Sequence, residues 1–200
     1  MKRRSLILVV LATLVVIIVI LAFAILHDGL SARATPTNLE AFIARNIRGL
    51  SIPSGARQTK NPIPATPENL REARMHFADH CAVCHANDGG GTSMFGDGLY
   101  PKPPDLRMEQ TQKLSDGELF WIIENGVRFT GMPAFSGHGS QDDSWKLVHF
   151  IRHLHELTPE QRMEMQRYNP KGLEDRAEEQ QEEEFLNGTA PKKPASKTQR

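Results

Sequence analysis

The segment Cys81-Ala82-Val83-Cys84-His85 contains both cysteines of this 200-residue chain. Two thiols separated by two residues on a helical turn can reach the two vinyl-derived carbons along one side of a porphyrin, and the histidine that follows can reach the iron. The C-x-x-C-H spacing is typical of c-type haem attachment. We therefore expect Cys81 and Cys84 to bind one haem c covalently and His85 to be an axial iron ligand.

Two other kinds of site use part of the same pattern. A thioredoxin-like cysteine pair lies at the N-terminus of a helix that follows a strand, whereas this pair follows a helical pattern. A structural zinc site takes about four ligands, and the chain has no second C-x-x-C. His149 and His153 have helical spacing but lie off the apolar stripe of their helix, so we expect them on a solvated face. Haem attachment is favoured over both alternatives.

A second iron ligand is expected on the other side of the haem. Small electron carriers usually have a sulfur ligand there, which raises the potential and closes the iron to exogenous molecules. Met132 is favoured because it stands in Gly131-Met132-Pro133-Ala134-Phe135, where glycine and proline keep the backbone irregular. Phe129 and Phe135 can line a dry pocket around it. The other methionines after the motif lie too close to it, in a polar stretch or in the C-terminal tail: Met94, Met108, Met163 and Met165.

Three segments around the motif have helix signals. The first begins at Thr66 and Pro67, a typical N-cap and first helical residue, and the second opens with a capping box at Ser115. The third covers residues 141–157. Apolar residues recur at helical spacing in the first and the third: Leu70, Ala73, Phe77, Leu147, Phe150, Ile151 and Leu154. No window alternates with period two, so we predict an all-α fold.

The N-terminus has the pattern of a transmembrane helix. Basic residues precede an apolar run, Leu6 to Leu26, that spans roughly 30 Å, the thickness of a hydrocarbon core. A cleavable signal peptide has a shorter apolar region of about 7–15 residues, so an uncleaved anchor is favoured, although Ala32-Arg33-Ala34 has the form of a cleavage site. The basic end stays in the cytoplasm by the positive-inside rule. We predict a single-pass protein of the inner membrane with the haem on the periplasmic side.

These observations divide the chain into four parts: residues 1–27 as the anchor, 28–65 as a connector, 66–157 as the haem domain and 158–200 as a polar, disordered tail or loose solvated helix. The connector contains a capping box at Thr37 and then an apolar stripe, followed by a proline-rich linker. That stripe can pack on the domain or lie in the membrane interface, and packing is favoured. Its residues are Leu39, Phe42, Ile43, Ile47 and Leu50.

From about Thr66 to Leu154 the chain resembles a class I c-type cytochrome. It is similar to the monohaem domains of membrane-bound respiratory cytochromes and of cbb-type oxidase subunits. The resemblance rests on the motif, on Pro103-Pro104-Asp105-Leu106, on Asn125-Gly126 leading to Gly131-Met132-Pro133, and on the pattern from Trp145 to Leu154.

The resemblance implies about three to five short helices around one haem, with the first helix packed on the last. Ala73 and Phe77 would then lie against Phe150 and Leu154. It also implies that the carbonyl of Pro104 accepts the Nδ1–H of His85, which fixes the tautomer of the ring. Two further residues are implied near the haem propionates: Trp121 and Arg128.

Together these features predict an electron-transfer protein and not an enzyme. A His/Met-ligated haem on a membrane anchor suits one-electron exchange with membrane complexes or soluble periplasmic proteins. The alternative is an electron-accepting haem subunit of a larger dehydrogenase or oxidase complex. A gas-sensing domain would need an open iron site. The formal net charge is zero, which argues against a nucleic-acid partner.

Overall fold

The computed structural model describes residues 2–27, 29–137, 139–172 and 182–187, and the regular elements in these ranges are all helical. This confirms the predicted all-α fold. The helices are α1 (Lys2–His27), α2 (Asn38–Ser51), α3 (Ser54–Gln58), α4 (Pro67–His76), α5 (Ala82–His85), α6 (Glu109–Gln112), α7 (Asp116–Asn125), α8 (Gln141–His153) and α9 (Pro159–Gln166). A π-helical turn, Phe77–Cys81, joins α4 to α5, and 3₁₀ turns cover Gly96–Gly98 and Leu154–Glu156.

Among the described residues, α1 is the one helix long and apolar enough to cross a membrane. Its 26 residues span about 39 Å at 1.5 Å per residue, against a hydrocarbon core of about 30 Å. Its described side chains are exposed. Helix α1 is therefore a candidate membrane anchor by its length and composition.

The core of the fold is built on the contact of α4 with α8, the most extensive between helices in the described residues. The rings of Phe77 and Phe150 meet there, with centroids 5.0 Å apart and planes inclined by 56°. Ala73 and Leu154 belong to the same buried cluster. The expected packing of the first helix of the domain on the last is confirmed.

Helix α7 packs on the other side of α8. Phe120 stacks on Trp145, with ring centroids 3.9 Å apart and an interplanar angle of 6°. The guanidinium of Arg152 donates hydrogen bonds to the carboxylate of Asp116 at 2.9 Å and to the carbonyl oxygen of Leu114 at 2.5 Å. These contacts tie α8 to the N-terminus of α7.

The prediction that residues 158–200 form a polar, disordered tail or a loose solvated helix is wrong for residues 158–166. Helix α9 is capped by Thr158 and packs on the core with Met165 fully buried. Arg74 also forms a 2.7 Å ion pair with Glu164. The contacts of α9 named here are one buried apolar side chain and one ion pair. Its sequence therefore shows no apolar stripe from which this packing could be predicted. From residue 173 on, only 182–187 lie within the described residues.

Helix α2 begins with the predicted capping box between Thr37 and Glu40. The expectation that its apolar stripe packs on the domain is wrong. No residue of α2 is buried. Its large apolar side chains are between 46% and 83% exposed: Leu39, Phe42, Ile43, Ile47 and Leu50.

Candidate functional site

The cysteine motif lies where the first helix of the domain changes its winding. The π-helical turn Phe77–Cys81 accommodates one residue more than an α-helical turn, and its last bond runs from the N–H of Ala82 to the carbonyl of Phe77. Such π-helical turns are frequent at functional sites. Phe77, Ala78 and Ala82 are buried in the core. The buried side of the motif is thereby fixed to the core, and the two cysteines remain partly exposed.

Cys81 and Cys84 are free thiols. Burial, together with the neighbouring Cys84, raises the pKa of Cys81 to about 12, and burial also raises the pKa of Cys84. Both groups are therefore protonated at neutral pH. A thioredoxin-like pair needs the opposite shift, because its attacking group is a stabilised thiolate. The electrostatics of this pair thus oppose the thioredoxin alternative.

His85 ends α5 with its ring half-buried. Desolvation lowers the pKa of the imidazole, while the nearby carbonyl of Pro104 acts in the opposite direction. The net shift favours the neutral ring, which is the form that binds a metal. Nδ1 is buried, and no acceptor in the described residues meets it at full hydrogen-bond geometry. The structure thus brings Pro104 to the ring as expected, but without a complete Nδ1–H···O bond.

A glycine-rich loop passes directly over the backbone of the motif. A Cβ on Gly96 would lie 2.5 Å from the carbonyl oxygen of Cys84, and one on Gly91 would lie 2.5 Å from the carbonyl oxygen of Pro103. The hydroxyl of Ser93 accepts from the N–H of Gly96 at 2.9 Å and donates to the carbonyl of Val83 at 2.7 Å, with the carbonyl of Cys84 also within reach at 3.1 Å. Only residues without a side chain fit at these two positions. The role of Ser93 was not predicted from the sequence, because the residues around it carry no motif that indicates it.

An ion-pair cluster fixes the proline segment beside this loop. The guanidinium of Arg107 lies 2.8 Å from carboxylate oxygens of both Asp88 and Asp105. The pKa of Asp105 is lowered, chiefly by its hydrogen bond from Arg107. Asp88 follows the motif and Asp105 follows Pro104, so the cluster sets the position of that carbonyl relative to His85. This cluster was not predicted from the sequence, although Asp88, Asp105 and Arg107 stand close to the motif and to the prolines.

Met132 lies in a loop closed by its own backbone. Its carbonyl accepts from the N–H of Val127 at 3.2 Å, and its N–H donates to the hydroxyl of Thr130 at 3.1 Å. The side chain is half-buried. The expected dry pocket is wrong for Phe129, which is 92% exposed with a φ of +62°. Phe135 does pack against the buried core.

The loop of Met132 and the motif meet the same short segment. Gly131 lies against the side chain of Leu99, where a Cβ would come within 2.7 Å. Leu99 directly follows the turn Gly96–Gly98, whose first residue contacts the carbonyl of Cys84. The two predicted iron ligands, His85 and Met132, therefore come from loops connected through this one segment.

Trp121 and Arg128 have no demonstrated part in the site. Trp121 is half-buried on α7, and Arg128 is exposed. Within the described residues no hydrogen bond, ion pair or ring contact links either side chain to the motif. Their predicted position at the haem propionates stays a prediction.

A zinc site finds no support in the described part of the chain, where no group of three or more metal-binding side chains occurs. His149 and His153 are half-buried and hydrogen-bonded to backbone, so the expected solvated face is wrong. His149 Nε2 lies 2.6 Å from the carbonyl oxygen of Ile63, and His153 Nδ1 lies 2.7 Å from that of His149. The ring of His149 thus ties α8 to the segment before α4, whereas the ring of His153 bonds within α8.

The residues of the motif fit a covalently bound haem. Two free thiols lie next to a half-buried imidazole whose buried Nδ1 lacks a full hydrogen-bond partner. A thioether side chain is available from a neighbouring loop. This is the donor set that a His/Met-ligated haem c requires.

Comparison with known proteins identifies the segment that contains this site. Residues 68–151 match the family model described as cytochrome c oxidase, cbb3-type, subunit III. This segment extends from α4 to α8 and contains the motif and Met132. It is a c-type cytochrome domain with the class I fold, and such a domain implies a haem c cofactor and an electron-transfer role.

Two further comparisons were with curated protein sequences and with solved structures. No curated protein sequence matches the chain. One solved structure that it resembles is the reducing HAO-like protein complex Kustc0457/Kustc0458 of Kuenenia stuttgartiensis, with 22% sequence identity and a TM-score of 0.43. The similarity covers 46% of this chain and 46% of that chain, so this protein spans about half of the length of that relative.

Proposed function

We propose that this c-type cytochrome domain, residues 66–157, carries single electrons between redox proteins while α1 anchors it to a membrane. The observation that supports this most directly is the arrangement at the motif. Two free thiols stand one turn apart beside the half-buried ring of His85, whose Nδ1 is buried. In this proposal Cys81 and Cys84 attach one haem covalently.

Each residue of the proposed site has its own task. Cys81 and Cys84 would tether the haem, and His85 and Met132 would bind its iron. The carbonyl of Pro104 orients the ring of His85. When bound, the haem supplies a reversible one-electron couple whose potential depends on the axial ligands and on burial. With His85 and Met132 both bound to the iron, the domain would have no open site for catalysis, so we propose a carrier and not an enzyme.

The proposed location follows from the N-terminus. Lys2, Arg3 and Arg4 precede the apolar segment of α1. Positive residues remain on the cytoplasmic side of a membrane. The domain would therefore lie on the periplasmic side of the inner membrane, attached by a single span.

The loops next to the motif expose large apolar side chains that suit brief contacts with redox partners. Met94 is 84% exposed, Phe95 58% and Phe129 92%. Exposed apolar groups of this kind mark interaction surfaces when they are close together. Transient redox encounters use small interfaces, below about 1,200 Å².

The description of the matching family as an oxidase subunit favours a second candidate function. The chain would then be the electron-accepting haem subunit of a larger dehydrogenase or oxidase complex. Purification of the full chain from membranes in a mild detergent separates the two functions. A stoichiometric large catalytic chain supports the subunit, and a single chain that still exchanges electrons with several partners supports the carrier.

The visible absorption spectrum of the purified holoprotein tests the site itself. We expect a low-spin spectrum, a methionine–iron charge-transfer band in the oxidised state, and no change when carbon monoxide is added to the reduced state. Met132→Ala should lower the midpoint potential on the order of 0.1 V and open the iron to carbon monoxide. Met108→Ala is the matched control, because Met108 is exposed and should leave both properties unchanged. Carbon monoxide binding by the wild-type protein would remove Met132 as a ligand and favour a gas sensor.

A further inference from the structure

Helix α2 presents its apolar stripe, defined as Leu39, Phe42, Ile43, Ile47 and Leu50, to the outside of the molecule. These side chains are 46% to 83% exposed. The amphipathic helices of globular domains place the apolar face against the core. The orientation of α2 is the reverse of that, and it leaves a row of large apolar groups uncovered by any described part of the chain.

The opposite side of α2 is the side that contacts the domain. Ala41, Arg48 and Gly49 are partly buried there. Burial lowers the pKa of Arg48, an effect that the carboxylate of Glu118 on α7 partly offsets. The carbonyl of Gly49 accepts a hydrogen bond from the guanidinium of Arg57. The domain thus contacts the side of α2 opposite the stripe, and no described residue covers the apolar side.

The neighbouring helix fixes this orientation. Helix α3 lies so close to α7 that a Cβ on Gly117 would come within 1.8 Å of the carbonyl oxygen of Ala56. Ile52, between α2 and α3, is 2% exposed. The nearby Arg57 also lies 3.8 Å from Glu118. Because α3 and Ile52 are packed against the domain, α2 cannot turn its stripe inward without breaking these contacts.

The position of α2 in the chain indicates what covers the stripe. Ten residues, 28–37, separate the end of α1 from the start of α2. Even fully extended they would span at most about 35 Å. Two turns shorten them, since Gly29 N–H bonds to the carbonyl of Leu26 and Ala34 N–H to that of Ser31. Helix α2 is therefore confined near the surface of any membrane that α1 spans.

The charges around the stripe fit an anionic lipid surface. Between residues 29 and 58 the chain has four arginines and one acidic residue, Glu40; because Arg48 and Arg57 contact the domain, Arg33 and Arg45 are the cations available beside the stripe. Basic residues beside an apolar face are typical of helices that lie in the interface of a bilayer with anionic lipids. Leu30, in the connector, is 82% exposed and extends the apolar surface towards α1.

We propose that the apolar stripe of α2 lies at the boundary of headgroups and acyl chains in the bilayer that α1 spans. The 14-residue helix then lies parallel to the surface. Because its other side is packed on the domain, it sets the height and tilt of the cytochrome domain above the membrane. This inference rests on the membrane anchor of the proposed function.

Site-specific photo-crosslinking of the full-length holoprotein in phosphatidylcholine–phosphatidylglycerol vesicles tests the inference. The photoreactive residue p-benzoylphenylalanine replaces Phe42 in the stripe, the exposed Ala44 outside the stripe, or Val15 within α1, one at a time. The visible spectrum of each variant checks that the haem domain is intact. We expect lipid adducts, identified by mass, from positions 42 and 15, with a yield at position 42 about tenfold above that at position 44.

The other outcomes overturn the inference in distinguishable ways. Lipid adducts at position 15 alone would leave the anchor in place and remove α2 from the membrane. Protein–protein adducts at position 42 would show that a second chain covers the stripe. Equal lipid yields at positions 42 and 44 would show that α2 has no membrane-facing side. Without lipid adducts at position 15 the anchor fails, and adducts at neither position would defeat both proposals.

Discussion

Met165 is the residue whose replacement tests the packing of α9 most directly. Its side chain is fully buried, whereas Met163, two residues earlier on the same helix, is 59% exposed. Truncation of a buried methionine to alanine costs about 2–5 kcal/mol. We expect Met165→Ala to lower the free energy of unfolding by about 2–3 kcal/mol, in the lower part of that range. The reason is that α9 lies at the end of the packed region and can shift into part of the cavity. For a domain of this size that corresponds to a melting temperature lower by roughly 10–20 °C.

The loss of free energy of unfolding cannot exceed the contribution of the docked helix, because α9 can leave the core altogether. In that case the variant also loses the ion pair between Arg74 and Glu164, whose side chains are 12% and 36% exposed. The assay is guanidinium unfolding of the full-length holoprotein in detergent, followed by far-ultraviolet circular dichroism. Met163→Ala is the matched control and should change the free energy of unfolding by no more than about 0.5 kcal/mol. Equal losses in the two variants, or no loss in either, would refute the docking of α9.

Two further predictions concern the loop over the motif and the pH dependence of stability. Gly96→Ala should strongly reduce the yield of haem-attached protein, because the added Cβ would lie 2.5 Å from the carbonyl oxygen of Cys84. A Cβ at Gly98 has open space, so the control Gly98→Ala should leave the yield unchanged. Pyridine haemochrome absorbance of equal protein amounts measures both yields, and equal yields would contradict the proposed contact. Burial and the stacked ring of His80 lower the pKa of His76, so the unfolded chain takes up a proton before the folded one as the pH falls. The free energy of unfolding should therefore fall as the pH is lowered from about 7. In His76→Gln this fall should be smaller. Denaturant titrations at several pH values measure it, and an identical pH dependence of the two proteins would exclude a contribution from His76.

Much of the helical architecture could be predicted because its causes are local. The caps at Thr66 and Ser115 and the apolar repeats of α4 and α8 depend on residues within a few positions of each other. The same is true of the motif, since its five consecutive residues contain both thiols and the imidazole. Its surroundings were not predictable in this way. The contact of Gly96 with Cys84 and the Asp88–Arg107–Asp105 cluster arise from loops that meet only in the folded chain.

The sequence by itself determined that the protein is helical, that it has a haem-attachment motif, and that an apolar helix precedes the domain. Periodicity, capping and covalent spacing are properties of neighbouring residues, so they can be recognised without tertiary structure. Only the tertiary structure decided that Met165 is buried, that Phe129 is exposed, and that the stripe of α2 faces outward. An apolar residue can be covered by any suitable surface, and which surface it meets depends on contacts between residues that are far apart in the chain.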